Sequence, residues 1–270
     1  MSANPDPETA CRPFTKNRDG FIMGEGSGAV ILESEESALK RNAHIYCEFS
    51  GASMYDEAYN LTAPLTDGQG MVESMKLAIE NAGIAPEKIN YINAHGTSTG
   101  LNDAYETAAI KEVFGSNAGN IPVSSIKAAI GHTLGAGGVL EAIACIKAIE
   151  SGIIPPTIHY DEPAPECDLD FLLSGFGNVD TLDLEYNRSC AVVAAGDHHT
   201  IIIRPVAHDR TALQSRVHIS ADSVPRFTAE LTVHQVVEIV LFRRPFQHKG
   251  VTHIEERAFA GLRVRKVLLL

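Results

Sequence analysis

Ile89-Asn90-Tyr91-Ile92-Asn93-Ala94-His95-Gly96-Thr97-Ser98-Thr99-Gly100 is the stretch on which the reading of the fold turns. Ile89 to Ala94 has the apolar character of a short buried strand. At its end one imidazole and three hydroxyls leave the sheet together, and Gly96 lets the backbone turn directly after His95. Asn102 and Asp103 are positioned to cap a helix running to Phe114, with Gly115 as its stop. Upstream, Val72, Met75, Ala78, Ile79 and Ala82 follow the helical period before Gly83. Downstream, Pro122 to Ile126 reads as a strand, Gly137 to Glu150 as a helix, and Ala191 to Ala195 and Thr200 to Arg204 as strands. Strands alternating with helices in this way predict a layered α/β domain, and such domains place ligands in the loops at their strand ends.

Two loops carry the candidate chemistry. In the first, Thr97 and Thr99 are two residues apart and can point the same way as donors towards an amide-bearing ligand. His95 beside them is compatible with a structural as well as a catalytic role. The second runs Ser124-Ser125-Ile126-Lys127-Ala128-Ala129-Ile130-Gly131-His132-Thr133-Leu134-Gly135-Ala136-Gly137-Gly138, again from a strand into a helix. Glu141 lies on the first turns of that helix and can ion-pair with Lys127 if the loop folds back. Ala136 to Gly138 is otherwise a run suited to tight helix packing. Gly24-Glu25-Gly26-Ser27-Gly28 lies between two apparent strands, Phe21 to Met23 and Ala29 to Leu32, and predicts a tight hairpin needing positive φ. None of the glycine-rich stretches has the ending of a P-loop or a clean dinucleotide fingerprint.

The 270 residues are 44% hydrophobic and 21% charged, which excludes a disordered or collagen-like chain and supplies a sizeable core. No uncharged apolar run approaches bilayer length, and the first residues look like neither a signal nor a transit peptide. The net charge of −12 is uneven: residues 1–206 hold 12 Lys/Arg against 28 Asp/Glu, and residues 207–270 hold 10 against 6. The acidic body argues against nucleic acid as a partner. The basic end, with Arg243, Arg244, Arg263, Arg265 and Lys266, reads as an ordinary solvated face. Five dispersed cysteines without a C-x-x-C pair suggest neither a disulfide framework nor a zinc site, and a reducing, cytoplasmic setting is expected. His198-His199 is too isolated to make a metal pair.

Taken together the two loops resemble the C-terminal half of the β-ketoacyl-[acyl-carrier-protein] synthases, condensing enzymes of the thiolase fold. The likeness starts at Arg12-Pro13-Phe14 and Arg18-Asp19-Gly20-Phe21-Ile22-Met23-Gly24-Glu25-Gly26. It continues through both loops to Pro155-Pro156-Thr157-Ile158 and Cys167-Asp168-Leu169-Asp170-Phe171. The resemblance implies a thiolase-like α/β body over residues 1–206, comprising that half and the last strands of the N-terminal half, followed by an unassigned segment 207–270. It implies decarboxylative condensation of malonyl and acyl thioesters in fatty-acid or polyketide synthesis. His95 and His132 would be the donors to the enolate oxygen, Lys127 would bias their field, Glu141 would hold Lys127, and Thr97 and Thr99 would contact the phosphopantetheine arm. It further implies an acyl carrier protein as partner, a homodimer or heterodimer, no metal and no resident cofactor.

Two departures accompany the likeness. The family's nucleophilic cysteine belongs to an N-terminal elbow that none of the five cysteines matches, and its Gly-Phe-Gly-Gly loop is replaced by Val193-Ala194-Ala195-Gly196-Asp197-His198-His199. A non-catalytic partner subunit or an inactive fragment is therefore the alternative expectation.

Overall fold

The computed structural model describes residues 1–6, 9–60, 64–171, 191–195, 199–205 and 236–242. In chain order these form β1 (Ala29–Ser34), α1 (Glu35–Lys40), β2 (Cys47–Met54), α2 (Gln69–Ala82), β3 (Ile89–Asn93), α3 (Gly100–Phe114), β4 (Val123–Ser124), α4 (Lys127–Ile130), α5 (Gly137–Ser151), β5 (Ala191–Ala195), β6 (His199–Arg204) and β7 (Val236–Phe242). The seven strands make one mixed sheet in the order β1-β7-β2-β6-β5-β3-β4. β6 runs antiparallel to β2 and β5, whereas β3 pairs parallel with both β5 and β4.

Period-two alternation sorts side chains between two helical layers. Ile92 and Ile202 face the cluster built with Val72, Met75, Ile79, Ile110 and Phe114 of α2 and α3. Tyr91, Ile201 and Ile203 face the opposite cluster, built with Ile143, Ile146 and Ile149 of α5. The register of β2 shifts between Phe49 and Gly51, so Phe49 pairs with Ile203 while Gly51 pairs with Ile202. That irregularity turns Gly51 towards α2, where a Cβ would stand 2.6 Å from the Ala78 carbonyl oxygen and 2.6 Å from the Ala82 amide nitrogen.

Several expectations are corrected. Phe21 to Met23 is no hairpin strand: Met23 bridges in parallel to His132, and Gly24, Gly26 and Gly28 all lack positive φ. These glycines provide space instead, since a Cβ on Gly24 would lie 2.2 Å from the Ile130 carbonyl oxygen. Asn102 and Asp103 do not cap α3, whose N-cap is Thr99; both are buried in its first turns. The strand expected over Pro122 to Ile126 shortens to Val123–Ser124, because the chain winds into α4 at once. Cys190, Gly196 to His198, and the basic residues from Arg243 onward lie outside the described residues.

What matters for function is that β3 and β4 are adjacent and parallel, with Asn93 opposite Ser124. The loops after them therefore leave the sheet at the same edge. Gly51→Val is expected to destabilise the protein by about 3 kcal/mol, the upper end for overpacking, because the atoms it meets are backbone. Urea unfolding would show this as a lower midpoint at unchanged slope; an unchanged midpoint would contradict the packing described.

Candidate functional site

His95, Lys127, His132 and Glu141 converge beyond the ends of β3 and β4. Lys127 is 1% exposed and is ion-paired with Glu141 on the first turns of α5, so the loop does fold back as the pairing required. Its ammonium also lies 3.2 Å from His95 Nδ1. An ammonium can only donate, so Nδ1 accepts and the proton of the neutral ring belongs on Nε2. His132 reaches the same tautomer by another route: the Leu134 amide donates to its Nδ1 at 3.3 Å. The two rings meet edge to face with centroids 5.4 Å apart. The two imidazoles thus share the tautomer that leaves Nε2 as the donor.

Buried acids fix the first loop. Glu106 accepts the backbone N–H of His95 at 2.7 Å and that of Gly96 at 2.9 Å. Asp103 accepts the N–H of Phe14 at 2.8 Å and faces the Arg18 guanidinium at 3.9 Å. Burial pushes the Glu106 carboxyl up to about 7 against the pull of the His95 and Gly96 backbone N–H groups. Burial also raises Asp103, opposed by the Phe14 N–H, Asn102 and Arg18. At Gly96, φ is 41° and a Cβ would stand 2.5 Å from that of Ser125, so only glycine fits the turn. Thr97 and Thr99 join hydroxyls at 2.9 Å, which puts the pair on one side as their spacing predicts.

The second loop is fixed from the amino-terminal segment. His132 donates its N–H to the Ile22 carbonyl at 2.7 Å and accepts from the Gly24 N–H at 3.0 Å. Phe21 stands edge-on to its ring at 5.1 Å. Asp103 and Glu106 escaped the sequence reading as site residues. The available signal was their spacing: with Ile110 and Phe114 they fall on the buried stripe of α3, where a carboxylate needs a specific partner.

Cys11, Cys47, Cys145 and Cys167 are all buried, and burial raises every one of these thiols, to about 11 for Cys11 and Cys167 and about 12 for Cys47. None has the exposed, electropositive setting of a reactive thiolate. Among the described residues no group of three or more His, Cys, Asp or Glu could hold a metal ion, and no helix is long and apolar enough to cross a membrane.

Comparison with known proteins places these loops in context. The C-terminal domain model of beta-ketoacyl synthases matches residues 46–161 and the N-terminal domain model matches residues 1–38, together more than half of the chain. The 3-oxoacyl-[acyl-carrier-protein] synthase 2 of Synechocystis sp. is 53% identical over 169 residues, covering 63% of this chain and 41% of that protein. Among solved structures, a type II PKS acyl-carrier protein in complex with its ketosynthase bound to the hexaketide aligns with TM-score 0.65 at 33% identity, over 76% of this chain and 50% of that one. The ishigamide ketosynthase/chain length factor aligns with TM-score 0.65 at 35% identity, over 76% and 48%. The chain spans about half the length of the curated relatives it matches.

The Glu106 carboxyl generates a pH prediction. Its folded value of about 7 lies above the ordinary 4.5. The native state therefore holds this proton over a range in which the unfolded chain has lost it, and the stability it contributes below pH 4.5 is lost as pH rises through 7. Glu106→Gln should flatten that decline. It should also cost about 1–3 kcal/mol at low pH, because an amide NH₂ replaces one of two acceptors facing N–H donors. Urea midpoints of both proteins between pH 4 and 8 provide the check, and parallel curves would refute it.

Proposed function

The chain belongs to the β-ketoacyl synthase family and has the ketosynthase fold, and from that premise we propose that its site serves decarboxylative condensation of malonyl and acyl thioesters in fatty-acid or polyketide synthesis. The carrying observation is the pair of imidazoles with both Nδ1 atoms engaged as acceptors and their rings 5.4 Å apart. When the malonyl C–C bond breaks, carbon dioxide leaves and the electron pair passes into the thioester carbonyl, whose oxygen gains negative charge. Two fixed Nε2–H donors stabilise that oxygen without reorganising. The carbanion end of the enolate then attacks the acyl carbonyl and expels its thiolate.

In this reading Lys127 has two tasks. It enforces the His95 tautomer, and its positive charge, balanced by Glu141, favours negative charge beside the His95 ring. Thr97 and Thr99 would contact the phosphopantetheine arm carrying the malonyl group, so the natural partner is an acyl carrier protein, consistent with the complex formed by one structural relative. Assembly with a second ketosynthase-type chain, of the same or another sequence, is part of the same reading. The reaction as written balances without a resident cofactor. The acyl thioester has to be held by a cysteine other than the four described ones. The synthases among the relatives favour condensation over a non-catalytic partner role.

Carbon dioxide release from malonyl-pantetheine tests the reading, measured on this chain alone and combined with the N-terminal half of the Synechocystis relative. His95→Ala and His132→Ala should each slow release by about two to three orders of magnitude, the typical cost of one oxyanion donor. Release that survives either change would remove that residue from the chemistry. Incubation with a radiolabelled acyl thioester should leave Cys11, Cys47, Cys145 and Cys167 unlabelled. Stoichiometric labelling of one of them would overturn the assignment of these thiols as inert.

A further inference from the structure

Among the described residues, the mechanism leaves a buried cation of the amino-terminal segment unused. Arg18, in the amino-terminal segment, has a side chain only 5% exposed. Its Nε donates to the Thr99 carbonyl at 3.2 Å, Nη1 to the Thr15 carbonyl at 2.9 Å, and Nη2 both to the Gly100 carbonyl at 3.0 Å and to Glu166 Oε1 at 2.7 Å. Two residues on, the Gly20 N–H donates to the Ser98 carbonyl at 2.9 Å. The Arg12 N–H donates to Ser98 Oγ at 3.0 Å. Ser98 is fully buried with φ 66°, a conformation that a non-glycine residue holds only when its surroundings impose it.

These bonds fall on the peptide groups flanking Thr99. Gly20 holds the carbonyl before it, and Arg18 holds its own carbonyl and the next. Thr97 is fixed separately, through the Ser125 hydroxyl that donates to the Gly96 carbonyl at 2.9 Å. The 2.9 Å hydroxyl pair therefore depends on two independent anchors, one from the β4 end and one from the amino-terminal segment. We infer that Arg18 is a positioning residue, which orients Thr99 against Thr97 so that their paired hydroxyls meet the amide-bearing arm of the substrate. The inference rests on the functional reading above for the arm, but the orientation of the threonines stands on these contacts alone. Lysine replaces it only in part, because one ammonium has neither the planar fork nor enough donors for three carbonyls and a carboxylate.

The test uses the full 270-residue chain with ¹³C-methyl threonine labelling and pantetheine as the probe. In Arg18→Met the Thr97 and Thr99 methyl signals should move well beyond the spread of the threonines that Arg18 does not touch, Thr15 being set aside because its carbonyl also loses a donor. The pantetheine dissociation constant should rise about tenfold, as expected for one misoriented hydrogen bond. Arg18→Lys should recover part of both effects. Glu166→Gln, which loses only the contact at the exposed end of the guanidinium, should match the wild type. Should Arg18→Met fail to fold because Asp103 is left buried beside no cation, the double variant R18M/D103N removes that charge and carries the same expectations. Threonine signals unmoved in the folded variant would overturn the inference. If wild-type protein binds no pantetheine, the arm-binding reading fails, and the threonine signals still decide the role of Arg18.

Discussion

The constraint on which the site depends is the burial of the Lys127 ammonium. A charge taken almost wholly out of water is tolerated only with a partner, and removing one member of such a pair typically costs about 3–5 kcal/mol. Glu141 supplies the opposite charge from α5 and His95 Nδ1 supplies an acceptor from the loop after β3. Three segments are thereby tied at one nitrogen. The helix entered at Gly137, the turn of α4 and the end of β3 cannot shift independently. Because Lys127 has no acceptor to offer, its position also decides which nitrogen of His95 carries the proton. The contact that satisfies a buried charge is also the contact that fixes the His95 tautomer.

Backbone strain shows how the loops around that contact are held. Phe14, Ser98 and Leu134 have φ values of 64°, 66° and 51°, a region costing about 1–3 kcal/mol for such residues. The cost is offset locally. Phe14 donates to Asp103, accepts from the Ala164 N–H and stacks on Phe171 at 3.9 Å; Ser98 is bonded by Arg12 and Gly20. The segment from Arg12 to Gly24 thus touches both loops, first at Ser98 to Gly100 and then at His132. It links loops that are 37 residues apart in sequence, His95 to His132, from a third place in the chain.

Legibility followed from how much each feature depends on local pattern. The helix at 69–82 carries an apolar period and a glycine stop, the helix at 100–114 is marked by its glycine stop rather than by a period, and β3 is a clear apolar run, so they could be read directly. β2 escaped because Cys-Glu-Phe-Ser-Gly-Ala-Ser-Met has both faces partly covered and an irregular register, which erases alternation. The six-residue α1 is too short to show a period. The Lys127–Glu141 pairing was legible from the loop and the helix that follows it, whereas His95, Lys127, His132 and Glu141 were legible as a group only through the resemblance of the two loops to a known family. Asp103 and Glu106 were not: their ligands are backbone amides of Phe14, His95 and Gly96, and no side-chain motif announces a backbone partner. The glycines at 24, 26 and 28 were misread for a related reason. Sequence displays the absence of a Cβ but not whether the need is for positive φ or for room.

The two imidazoles are alike in tautomer but differ in how that state is maintained. His95 is 7% exposed and takes its tautomer from a buried ammonium. His132 is only half-buried and takes its tautomer from a backbone amide, with its own backbone bridged to Ile22 and Gly24. An amide N–H carries no net charge and does not titrate, so it orients His132 without adding charge beside it. The ammonium orients His95 and at the same time adds a positive charge beside it, balanced across a short distance by Glu141. For an anion placed between the rings, the field is therefore stronger on the buried side, where the dielectric is low. On the half-buried side orientation is fixed but charge is not, and that is the side on which solvent screening would make an added charge worth least.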